Sequence, residues 1–221
     1  MPEKISFKLP DGQSVDADAG IRVEDLAERI LPRMKKKIVG AVVNNEIKDL
    51  RETLTQGGTL EFLTVGDERA LEVMRHSTSH LMAEAVLQVF PDAVLGIGPS
   101  TDEGFYYDFQ LPRPFEPEDV VKIEKIMQKL AKHNNAFDRS EMTVEEGIRY
   151  FEQKGETFKV ELIRDLAAKG ETRVSIYRSG GFEDLCRGPH LKHTGQIGVF
   201  KLLSTAAAYW RGDERNPVLQ R

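Results

Sequence analysis

The order of periodicities in the first 64 residues leaves this chain few folds to choose from. Residues 5–9 alternate apolar and polar and run into Pro10-Asp11-Gly12, where proline presets φ and glycine tolerates a positive one. A β-hairpin closing near Val15 is expected. Val23, Leu26, Ala27, Ile30 and Leu31 then recur at helical spacing up to Pro32, after which residues 38–43 and 59–63 read as strands. Strand, strand, helix, strand, short strand, strand is the order of a small β-grasp (ubiquitin-like) domain, a mixed sheet with one face on a single helix. Lys35, Lys36 and Lys37 form its one dense basic run. They read either as a solvated helix end favoured by the macrodipole or as a phosphate contact.

Gly66-Asp67 opens a second, larger unit, giving expected domains at 1–64 and 65–221. A helix is expected from residue 67 to 90, stopped by Pro91, with Leu71, Met74, Leu81, Met82, Ala85 and Val89 on one stripe and His76 and His80 opposite it. Another runs from Pro117 through Val120, Ile123, Met127 and Leu130 to Asn134. Thr143 and Glu146 form a capping-box pair for a third that ends at Gly155. Residues 104–109, 172–177 and 199–203 look like strands. Helices and strands mix without βαβ alternation, so the fold class is α+β: a β-grasp domain followed by a mixed α+β domain.

Composition narrows the function classes. Of the 221 residues one is cysteine, which rules out an internal disulfide. No apolar run approaches the roughly 18 residues of a membrane span, and the start, Met1-Pro2-Glu3-Lys4-Ile5, lacks a signal-peptide core. A soluble cytoplasmic protein is expected. With 31 Lys and Arg against 36 Asp and Glu, bulk charge does not hold nucleic acid, although a local basic patch still can.

The chemistry-bearing residues fall in two places. His76-Ser77-Thr78-Ser79-His80 puts two imidazoles one helical turn apart, on one face. Cys186-Arg187-Gly188-Pro189-His190 presents a thiol and a third imidazole from a loop that glycine and proline keep non-helical. Two His, a Cys and a His can surround a tetrahedral zinc. A helical zinc protease is disfavoured, because Ser77 stands where its general-base glutamate would be. Cys186 as nucleophile, with Arg187 lowering its pKa, is a second possibility, and hydrolysis through an ordered water held by a His and a Lys is a third. Gly96-Ile97-Gly98-Pro99 and Gly104-Phe105-Tyr106-Tyr107-Asp108 add glycines that allow close backbone approach and tyrosines of which one faces a site. Lys159, between Phe158 and Val160, reads by itself as a solvated face.

Six ordered blocks together resemble the amino-terminal half of bacterial-type threonyl-tRNA synthetases. They are the β-grasp module, His76-Ser77-x-x-His80, Gly98-Pro99 with Gly104-Phe105-Tyr106-Tyr107-Asp108, Phe158-Lys159-Val160, Asp184-Leu185-Cys186-Arg187-Gly188-Pro189-His190, and Ala208-Tyr209-Trp210-Arg211-Gly212-Asp213. The resemblance implies a TGS domain and then an editing domain that hydrolyses serine mistakenly esterified to threonine tRNA. Serine lacks one methyl, worth only about 1–3 kcal/mol in a binding pocket, so fidelity needs a second, hydrolytic site. By the same resemblance His76 and Lys159 activate the attacking water. His80, Asp184, Cys186 and His190 shape the pocket, Asp184 holding the amino group, while Gly98 and Tyr107 contact the aminoacyl-adenosine. It implies no metal or other cofactor at this site. The implied partner is the acceptor end of tRNA(Thr) carrying serine, in an enzyme that dimerises through domains beyond this chain. The family's aminoacylation core is missing from these 221 residues, so no aminoacylation is expected. A different class remains open: an RNA-binding or regulatory module in which the His/Cys set is structural, or a zinc hydrolase of another substrate.

Overall fold

The computed structural model describes residues 3–221, so Met1 and Pro2 of the expected leaderless start lie outside it. The chain forms two compact units, residues 1–74 with 188–192, and residues 75–187 with 193–221.

In the first unit, β1 (Lys4–Lys8) and β2 (Ser14–Asp18) form the expected hairpin, paired antiparallel from Lys4 with Asp18 to Lys8 with Ser14. A two-residue strand β3 (Ile21–Arg22) leads into α1 (Val23–Ile30), followed by β4 (Ile38–Val43), β5 (Glu46–Lys48), β6 (Thr53–Leu54) and β7 (Gly58–Thr64). The sheet order is β2-β1-β7-β4-β5, with β1 and β7 parallel and the other neighbours antiparallel. Alternation buries Ile5 and Phe7 of β1, and α1 presents Val23, Leu26 and Ala27 to the same core as Ile38, Ala41 and Leu60. This is the β-grasp arrangement that the order of periodicities predicts. Lys35, Lys36 and Lys37 are exposed beyond α1, Lys35 paired with Glu28 at 2.7 Å.

The second unit is built on α2 (Ala70–Val89), whose residues up to Met74 group with the first unit. Then come β8 (Val94–Leu95), β9 (Phe109–Gln110), α3 (Pro117–Ala131), β10 (Asp138–Thr143), α4 (Val144–Gln153), α5 (Thr157–Ala168), β11 (Arg173–Ser179), β12 (Phe182–Leu185), β13 (Ala207–Tyr209) and β14 (Val218–Gln220). They make a three-stranded antiparallel sheet β10-β11-β12 and a four-stranded sheet β13-β14-β9-β8. The α4 start is the reciprocal box expected of Thr143 and Glu146.

Three expectations are corrected. The stripe on α2 fails: Leu71 is exposed, whereas Ser77, Thr78, Ser79 and His80 are buried along with Leu81, Ala83, Ala85 and Val86. A helix enclosed on most sides carries no clean amphipathic signal. Residues 199–203 form no strand, and Val199 and Leu203 point to solvent. Of 104–109 only Phe109 enters a strand, apart from an isolated bridge between Ser100 and Phe105. α5 was not anticipated, because Thr157 and Glu156 advertise no start: the side chain of Glu156 makes no cap.

Candidate active site

α2 delivers His76 and His80 one turn apart, and their rings meet edge to face with centroids 5.2 Å apart. Phe182 of β12 stands edge-on to His80 at 5.5 Å. His76 Nε2 lies 3.3 Å from the Sγ of Cys186, the residue just past β12. Backbone pairing fixes that residue: Cys186 N–H donates to the Ser175 carbonyl at 3.0 Å, and Ser175 Oγ donates to the Cys186 carbonyl at 2.6 Å. The donor atoms of His76, His80 and Cys186 lie within 4.8 Å of one another. Imidazole nitrogen and thiolate sulfur are donors that zinc accepts, so this trio is the part of the site able to hold one.

Beside it lies a second, fully buried group. Lys159, in the first turn of α5, is 2% exposed, and its Nζ sits 2.5 Å from Asp184 Oδ1 on β12. The same ammonium donates to Tyr107 Oη at 3.0 Å, and that hydroxyl donates to Asp184 Oδ2 at 2.6 Å. His80 Nε2 is 3.7 Å from the same oxygen. The solvated-face reading of Lys159 is therefore wrong. A lysine is tolerated in such a place only when its charge is paired and hydrogen-bonded.

The electrostatics follow from this packing. Burial alone pushes Asp184 up, but the Lys159 ammonium, the neighbouring His80 and hydrogen bonds from Lys159 and Tyr107 hold its carboxyl below the usual range. Burial, then the Asp184 charge, raises Tyr107 well above an ordinary phenol, so its hydroxyl stays a donor at neutral pH. Burial drives His80 down to about 3, outweighing the attraction of Asp184, so its ring is neutral. At physiological pH it therefore acts as a neutral hydrogen-bonding ring rather than as a source of charge.

Gly98 serves this group in a way the sequence did not suggest. A Cβ there would lie 2.0 Å from Cδ2 of Tyr107, so the close approach allowed by the missing side chain is made by the tyrosine ring. Ser79 Oγ, 2.8 Å from the His76 carbonyl, also lies 2.6 Å from the Gly98 carbonyl and can donate to it. Ser79 receives no role from the sequence alone, although a hydroxyl between two candidate histidines on one helix is a signal that could have found it. Gly98→Ala should force the Tyr107 ring from its place. A loss of about 1–3 kcal/mol by thermal unfolding is expected, as in other overpacked cores. An unchanged melting temperature would show that the ring has room to move.

The second unit thus brings together His76, His80, Gly98, Tyr107, Lys159, Asp184 and Cys186. His190 lies on the 188–192 segment of the first unit, fully buried, its backbone N–H donating to Asp49 Oδ2 at 2.9 Å. Tyr106 is the tyrosine left out: Arg221 stacks on it, its guanidinium carbon 3.7 Å from the ring centroid. His133, exposed just past the end of α3, is no part of this group.

With this geometry in hand, comparison with known proteins is decisive. The family described as "TGS domain" matches residues 5–64, and "Threonyl and Alanyl tRNA synthetase second additional domain" matches residues 174–221. The chain carries a TGS domain followed by the second additional domain of threonyl and alanyl tRNA synthetases. It is 46% identical over 98% of its length to the threonine–tRNA ligase of Clostridium tetani and 47% identical over 99% to that of Citrifermentans bemidjiense, in each case covering 34% of the relative. Against the threonine–tRNA ligase of Myxococcus xanthus it is 43% identical over its whole length, covering 35% of that protein. The chain thus spans about a third of the length of these synthetases. Asp184 and Cys186 fall within the stretch shared by threonyl and alanyl enzymes. No helix among the described residues is long and apolar enough to cross a membrane.

Proposed function

We propose that the second unit is a deacylase that hydrolyses the ester of seryl-tRNA(Thr), proofreading for a threonyl-tRNA synthetase in the cytoplasm. The observation that carries the reading is a buried Lys159-Asp184-Tyr107 cluster beside the His76-Cys186 pair in a synthetase-family chain. Water needs one group to orient it and one to take its proton. Lys159, paired with Asp184, donates to the water, and His76 accepts the proton as oxygen adds to the ester carbonyl. The bond to the terminal ribose then breaks, and the ribose oxygen takes up a proton to leave free serine and tRNA. His80, Asp184 and Cys186 line the serine pocket, and Tyr107 with Gly98 sets its wall against the terminal adenosine. Threonine is rejected because its extra methyl clashes with the pocket or displaces the ordered water.

The test is release of serine from seryl-tRNA(Thr) beside threonine from threonyl-tRNA(Thr), with protein in excess, with and without chelator. Selective serine release that survives the chelator and is lost in His76→Ala is expected. No release above the uncatalysed rate from folded, tRNA-binding protein would leave a non-catalytic RNA-binding module as the better reading. Chelator-sensitive release would point instead to a zinc hydrolase.

A further inference from the structure

Glu156 is an odd residue with which to begin a helix. It stands at the N-cap of α5, with φ −82 and ψ 69, where Ser, Thr, Asp or Asn is favoured because a short side chain reaches back to the first free N–H groups. Its carboxylate makes no such bond. Instead Oε2 accepts from the backbone N–H of Leu95 in β8, 61 residues earlier, at 2.9 Å.

That bond closes a ring through the candidate active site. The Glu156 carbonyl accepts the N–H groups of Lys159 and Val160 at 3.1 and 3.2 Å, and so starts the turn that carries Lys159. On the other side, the chain leaves β8 at Leu95 and runs to Gly98, which the Tyr107 ring covers. Residues 96 and 97 are pinned to the segment that carries that ring: Gly96 N–H donates to the Asp108 carbonyl at 2.8 Å and Asp108 N–H to the Ile97 carbonyl at 2.9 Å. Tyr107 Oη then meets Lys159 Nζ. The links of the ring are short hydrogen bonds and close packing contacts; α5 and β8 also meet through Phe158, Leu162 and Val94, but the hydrogen bond that ties the α5 start to β8 is made by the Glu156 side chain.

We infer that Glu156 is a positioning residue, whose bond to Leu95 N–H holds the first turn of α5 against β8 and so places Lys159 Nζ between Tyr107 and Asp184. This rests on the deacylase reading. The group is half-buried, and burial raises its carboxyl above the ordinary range despite the Leu95 bond and the nearby Lys159. The bond to Leu95 N–H calls for reach and an acceptor oxygen, which a neutral side chain of the same length also supplies.

Three substitutions separate those properties. Glu156→Gln keeps the length and an acceptor oxygen but removes the charge. Glu156→Asp keeps the charge and is the better N-cap, yet it is one methylene too short to reach Leu95. Glu156→Ala loses everything. For seryl-tRNA(Thr) hydrolysis by the full 221-residue chain, Glu156→Ala and Glu156→Asp should lower kcat on the order of 10²-fold, as misplacement by about 1 Å can, with KM within about threefold. Glu156→Gln should stay within about threefold of the parent in both.

A role limited to capping α5 predicts the reverse order, with Glu156→Asp active, and that result would overturn the inference. So would parental kcat in Glu156→Ala, or a Glu156→Gln enzyme as slow as Glu156→Ala. Should Glu156→Ala not fold, the Gln and Asp variants decide alone. An inactive parent chain would refute the deacylase reading itself, and is told apart because it appears before any substitution is made.

Discussion

Lys159→Met should lower the stability of the second unit by about 3–5 kcal/mol and remove ester hydrolysis in the same step. Methionine nearly fills the volume of the lysine stem, so the loss is not one of packing. It comes from Asp184, 2% exposed, which keeps its charge in a buried place and loses the ammonium 2.5 Å away. The Tyr107 hydroxyl still donates to Asp184 Oδ2, but one neutral donor does not replace a paired cation. With Lys159 gone, the burial that already pushes Asp184 upward has less to oppose it, so the carboxyl takes up a proton more readily. The deficit should therefore be largest at neutral pH and shrink as pH falls. Lys159→Met combined with Asp184→Asn removes the stranded charge and should recover much of the stability without recovering hydrolysis. Urea unfolding of the three chains at pH 5 and pH 8 measures this. A single variant that unfolds at the parental midpoint at both pH values would mean that water reaches Asp184.

The second large effect is acid sensitivity through His80. Its ring is buried neutral, with a folded-state pKa of about 3 against the 6.5 of an unfolded chain. Between those values the unfolded state binds a proton that the folded state refuses. Stability is thus fully present above about pH 6.5 and falls as pH drops toward 3, by up to about 1.4 kcal/mol per pH unit from this one group. Asp184, lowered in the folded state, acts with the same sign toward the acid end. Burial raises Glu84 and Glu156, which works in the opposite sense. Comparison with His80→Leu isolates the imidazole: the variant should show a flatter fall in unfolding free energy between pH 6.5 and 4. Parallel curves for the two proteins would place the acid-sensitive group elsewhere.

Much of the first unit was legible in the chain because its signals are local. The Pro10-Asp11-Gly12 turn, the alternation of Ile5 and Phe7 and the helical spacing of Val23, Leu26 and Ala27 each act within a few residues, and each appears where expected. The capping box of Thr143 and Glu146 is equally local and equally readable. α2 was readable as a helix but not as an enclosed one, since its buried Ser77, Thr78 and Ser79 look like a solvent face until the elements around them are known. The strands of the second unit were mostly invisible. Those around β8, β9, β13 and β14 have two or three residues each, too few to show a period of two.

What the sequence by itself determined is the chemical inventory and the family: which imidazoles, thiol, lysine and carboxylate are present, in six ordered blocks, behind a module whose periodicities specify a β-grasp sheet. Only the tertiary structure decided what those groups do to one another. Lys159 is a surface lysine by its neighbours and a buried cation by its partners, Tyr107, 52 residues earlier, and Asp184, on β12. Gly98 looks like an opening for a ligand and proves to be the seat of a tyrosine ring. The physical reason is the same in both cases. Local conformation is set by steric preferences and hydrogen bonds within a few residues, whereas burial, charge pairing and pKa depend on groups that only the folded chain brings within a few ångströms.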